Sequence, residues 1–82
     1  MAIDLRKVNH VKRQSRFYLI QVGENLFGQG VVIREWGRIG QGGQVATSIY
    51  DNLDIADHAA QQLKRAKERK GYVTLPQQIE MF

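Results

Sequence analysis

The residues best suited to chemistry sit in Trp36-Gly37-Arg38-Ile39-Gly40-Gln41-Gly42-Gly43-Gln44, which gathers the sole tryptophan, an arginine and four of the eight glycines at the end of an apolar run. An indole plane stacks on a base or sugar and a guanidinium forks onto phosphate oxygens, so the pair suits the end of a nucleic acid. The same residues also fit a plain hairpin turn with a core tryptophan beside it. Catalytic patterns are thin. Ser48, His58 and Asp51 supply the residue types of a triad but no nucleophile turn or oxyanion site. Asp54, Asp57 and His58 share one helical turn, where the helix dipole explains the acids better than a cation does. Gly40-x-Gly42-Gly43 lacks the lysine and hydroxyl of a phosphate-binding loop. With no cysteine, thiol catalysis, disulfides and thiolate metal sites are excluded. These residues point to a binding protein without cofactor or metal, not to an enzyme.

Charge sharpens that reading. The net charge is +4, but its distribution is uneven. Residues 1 to 16 carry Arg6, Lys7, Lys12, Arg13 and Arg16 against Asp4, and residues 64 to 70 carry Lys64, Arg65, Lys67, Arg69 and Lys70 against Glu68. Between them Arg34 and Arg38 face five acidic residues. If the two basic segments converge they form a phosphate footprint; if they do not, they are a solvated helix end and a mobile basic arm.

The elements that must position these residues follow from periodicity. Phe17 to Val22 is a β-branched and aromatic run, read as a buried central strand. Glu24 to Gly30 is a loop. In Val31 to Trp36 the residues Val32, Arg34 and Trp36 share one face, and Val31, Ile33 and Glu35 the other. A turn from Gly37 to Gly43 returns the chain into Gln44 to Tyr50, completing a hairpin. Asp54 suits the N-cap of a helix over about residues 54 to 70, with an apolar stripe of Ile55, Ala59, Leu63 and Ala66 widened by Ala56 and Ala60. Gly71 suits the residue just past its end. Tyr72 to Leu75 suits a short edge strand, and Ile3, Leu5, Val8 and Val11 suggest one more. The expected class is α+β, a small antiparallel sheet with one helix on a face.

Eighty-two residues make one small domain, placed at residues 1 to 75 with a core of about 16 to 75, a basic segment at 1 to 16 and a tail at 76 to 82 where Ile79, Met81 and Phe82 are candidates for docking. Hydrophobic residues at 43% and charged residues at 24% fit a folded soluble chain. No apolar run reaches the roughly 18 residues of a membrane span, and the N-terminus lacks a signal-peptide core. A cytoplasmic setting without a membrane partner is expected, near the nucleoid if the chain binds DNA.

Trp36-Gly37-Arg38 followed by Ile39-Gly40-x-x-Gly43-Gln44 resembles the signature of the WGR domain. The likeness extends upstream to Arg16-Phe17-Tyr18-Leu19-Ile20-Gln21, similar to the family's basic-aromatic first strand, and downstream to Lys67-Glu68-Arg69-Lys70-Gly71-Tyr72, similar to its closing motif. The resemblance implies a small twisted antiparallel sheet with one helix. It also implies DNA binding at a strand break, as in the poly(ADP-ribose) polymerases. By the same likeness Trp36 stacks on the terminal nucleotide, Arg38 meets the backbone or 5′ phosphate, and Tyr72 with a basic residue of Lys64, Lys67 or Lys70 adds phosphate contacts. Gly37 and Arg16 join the site as parts of the matching motifs. The polymerases often hold an asparagine where Ser15 stands, and their catalytic and regulatory domains have no counterpart, so the chain is closer to stand-alone bacterial members. Two readings remain: a DNA module for ends, nicks or junctions, and a protein-interaction domain using the same Trp36 and Arg38 surface.

Overall fold

In the computed structural model, which describes residues 1–76, the chain forms β1 (Ala2–Asn9), β2 (Gln14–Glu24), β3 (Gly30–Arg38), β4 (Gln44–Tyr50), α1 (Leu53–Arg69) and β5 (Val73–Thr74). The strands make one antiparallel sheet in the order β4-β3-β2-β1-β5, with α1 packed on one face. This is the expected α+β class. The expectation for residues beyond Pro76 lies outside the described residues.

Two-residue alternation decides what is buried. Ile3 and Leu5 of β1, Tyr18, Ile20 and Val22 of β2 and Val32 of β3 turn toward the helix and form the core with Ala56 and Ala60. Phe17 and Leu19 on the other face are only partly covered and Gln21 is exposed. The run Phe17 to Val22 is therefore central but buried on one face, because a single helix covers a single side. Val8 and Val11 also stay exposed: Val8 falls on the open face, and Val11 lies in the β1–β2 turn, where Asn9 Oδ1 accepts the N–H groups of Val11 and Lys12. The basic N-terminal segment is thus a paired strand and turn, not a mobile arm.

Three sequence expectations shift by a residue or two. Asn52, not Asp54, caps α1: its Oδ1 accepts the Ile55 N–H at 2.9 Å, leaving Asp54 in the first turn to face the dipole. The buried stripe then runs through Ala56, Ala60 and Leu63, whereas Ile55 is exposed. Ala56 and Ala60 were expected only to widen it. They lie at its centre because small residues let the helix sit close to the sheet. β3 also continues past Trp36 to Arg38, which pairs with Arg16, so the turn is confined to Ile39–Gly43. At the far end Gly71, with φ +99°, follows the helix; its N–H donates to Glu68 O at 3.0 Å and the Tyr72 N–H donates to Lys67 O at 3.1 Å, a Schellman closure.

Gly30 sets the height of the helix above the sheet. A Cβ there would overlap the carbonyl oxygen of Asn52 and crowd the Ala56 Cβ, so the helix start rests directly on the β3 backbone. Gly30→Ala should destabilise the domain by about 1–3 kcal/mol, the usual cost of overpacking. Thermal unfolding followed by circular dichroism checks this, and an unchanged melting temperature would show that the helix can lift without loss.

Candidate nucleic-acid interface

Register brings the chemistry to one end of the sheet. Leu5, Tyr18 and Trp36 are paired across β1, β2 and β3, and the next row on the same face is Lys7, Arg16 and Arg38. The helix starts over Gly30 and runs toward this end, so its basic last turn arrives beside the second row. Lys7 ties the two together: its Nζ donates to the carbonyl oxygen of Lys70 at 2.8 Å, placing a cation at the negative end of the helix dipole.

Aromatic rings define the cleft between these rows and the helix end. Trp36, half-buried, lies nearly parallel to Tyr18 at 5.8 Å between centroids and 18° between planes. Tyr72 meets Tyr18 edge-on at 6.3 Å. A cavity of about 230 Å³ is lined by Arg16, Trp36, Gly37, Arg38 and Tyr72. The Lys67 Nζ stands 4.4 Å from the Tyr18 ring centroid and 5.9 Å from that of Tyr72, while the Lys7 Nζ stands 5.9 Å from Tyr72. Desolvation lowers the Lys67 pKa from the usual lysine value, and the charges of Lys70 and Arg34 push it the same way. An entering anion would relieve that repulsion. Among the described residues no carboxylate lines the cleft, and the one ion pair found among them, Arg6 with Asp4 at 3.5 Å, belongs to the open face of the sheet.

The structure thus brings together Arg16, Trp36, Gly37, Arg38, Lys67 and Tyr72, with Lys70 adjacent. Lys64 is separate: it lines a different cleft with Met1, Ile3, Thr74 and Pro76. Gly37 has a backbone reason for its identity, since a Cβ there would press on Gly43 Cα at 3.0 Å and on the Phe17 ring at 3.4 Å. Ser15, at the position of the polymerase asparagine, falls on the open face, whereas Gln14 shares the face of Arg16. Sequence reading missed Tyr18 and Lys7 as parts of this site. Tyr18 was legible from alternation with Arg16, but Lys7 needed the β1–β2 register, which a four-residue turn sets. Among the described residues no group of three His, Asp or Glu side chains is placed to hold a metal, and no helix is long and apolar enough to cross a membrane.

The chain is similar to "Uncharacterized protein y4dW" of Sinorhizobium fredii (strain NBRC 101917 / NGR234), with 29% identity over 72 residues, 88% of this chain. It spans only 35% of that relative's length. No solved structure matches significantly. WGR domains are in general non-catalytic modules that bind DNA. The family model of the WGR domain covers residues 1–79, so the chain belongs to the WGR domain family.

Proposed function

We propose that this WGR domain recognises a DNA end, nick or junction, with Trp36 stacking on the terminal nucleotide and Arg16, Arg38, Lys7, Lys67 and Lys70 receiving its phosphates. The observation that carries the reading is a half-buried indole bordering a cleft ringed by cations that no carboxylate among the described residues neutralises. Uncompensated charge of this kind is unfavourable in the free protein and is matched by a polyanion. Lys64 is left out of the site by its position. Gly37 serves it by letting β3 and the turn close behind Trp36.

The test is a fluorescence anisotropy titration of a nicked duplex and of a closed circular duplex across a salt series. The nicked form should bind more tightly, and log affinity should fall with log salt at a slope of about −0.9 for each phosphate neutralised. Equal affinity for nicked and closed DNA would remove end recognition. Weak, salt-insensitive binding to both would favour the protein-interaction reading of Trp36 and Arg38.

A further inference from the structure

Beside the cleft at Trp36, the face of β3 continues to Arg34, and there a second groove opens. α1 lies chiefly over β2 and β3 and touches β4 much less, so Ala46, Ser48 and Tyr50 on the helix side of β4 are only partly covered. The result is a cavity of about 320 Å³ whose polar and aromatic lining is Arg34, Ser48, Tyr50 and Gln62, walled by Leu63 of the helix. It falls within the roughly 300–1,000 Å³ typical of ligand clefts.

Arg34 is the unusual member. Its cross-strand neighbours are Ile20 and Ala46, neither of which carries a charge, and its Nε is buried without a hydrogen-bond partner. A buried donor left unpaired is normally avoided, which marks this one as a donor awaiting an acceptor. Among the described residues no carboxylate lines the groove. The positive field runs on from the first cleft to the second, since Arg34 also acts on Lys67.

We propose that this groove seats a single-stranded continuation of the DNA whose end is held at Trp36, with Arg34 taking a phosphate, Ser48 and Gln62 offering neutral donors, and Tyr50 presenting a ring to a base. The inference rests on the DNA reading of Trp36. Arg34 and Trp36 are two residues apart on one strand face, about 7 Å at the rise of a β-strand, which is two steps of a stacked nucleic-acid strand at about 3.4 Å each. A groove bounded on one side by a helix and floored by a strand admits one chain, not a duplex. The preferred ligand is therefore an end carrying an unpaired overhang.

Anisotropy with blunt duplexes and with duplexes bearing four-nucleotide overhangs of either polarity tests this. One overhang should bind about tenfold more tightly than the blunt end. Arg34→Gln should abolish that gain, hold blunt-end affinity within about twofold, and flatten the salt slope for the overhang substrate by about 0.7. Gln62→Glu, a change on the exposed side of the helix, should also abolish the gain by repulsion and serves if Arg34→Gln folds poorly. Equal wild-type affinity for blunt and overhang DNA overturns the proposal, as does an equal loss on both substrates in the variants. Failure of the underlying Trp36 reading is distinguishable, because wild-type protein would then not prefer any end over a closed circle.

Discussion

Replacing Ile20 with alanine should unfold a substantial fraction of the domain near physiological temperature. Ile20 has no solvent exposure, sits at the middle of the central strand, and pairs with Ile3 on one side and Arg34 on the other. Truncating such a side chain costs about 2–5 kcal/mol, the upper end applying where neighbours cannot collapse into the space. Collapse is hindered here because the helix residues in the core are Ala56 and Ala60, which have no longer side chain to swing inward. A domain of this size holds on the order of 4–12 kcal/mol in total. The melting temperature should therefore fall by roughly 10–30 °C. Ile33→Ala, on the open face, is the control and should cost far less. A drop for Ile20→Ala no larger than for Ile33→Ala would mean that the helix-covered face is not the principal core.

Trp36→Ala should weaken binding to a DNA end by about 1–3 kcal/mol, the range for stacking of a base on an aromatic ring, which is about 5- to 150-fold. The loss should be larger for nicked than for closed duplex, because only an end offers an unpaired nucleotide face to the ring. Trp36 also stacks on Tyr18, so folding must be confirmed by the melting curve before affinity is compared. Trp36→Phe supplies a second check: it keeps an aromatic plane with less area and should retain part of the end preference. Arg38→Lys should resemble Trp36→Ala if the guanidinium fork grips a phosphate, since an ammonium cannot reproduce two parallel bonds. Wild-type affinity in both Trp36→Ala and Arg38→Lys would move the DNA reading behind the protein-interaction one.

What was legible in the sequence was whatever alternation and cap chemistry determine locally. Val32, Arg34 and Trp36 share a face because a strand has a period of two, and Gly71 follows the helix because the left-handed conformation there favours glycine. The helix start is not fixed locally, because Asn52 and Asp54 are both good caps; the cap at Asn52 goes with the close approach of its carbonyl to Gly30, a tertiary contact. The extra residues of β3 were hidden for a similar reason. Gly37 looks like a turn residue in isolation, yet it is held in the ladder opposite Phe17. Lys7 and Lys64 are both lysines in basic segments, and only strand register and helix rotation separate the one at the aromatic cleft from the one lining a different cleft.

The direct pairing of Arg16 with Arg38 carries a further consequence. Like charges opposite one another on a sheet are destabilising, and here Lys7 extends the row. Such a row is local frustration: the free fold tolerates it at some cost to its own stability. Added salt screens that repulsion, so it strengthens the unliganded domain while loosening its grip on a polyanion. One cluster therefore responds to ionic strength with opposite signs in its two states, and a substitution at Arg16 or Arg38 selected for thermal robustness alone would tend to erode the interface.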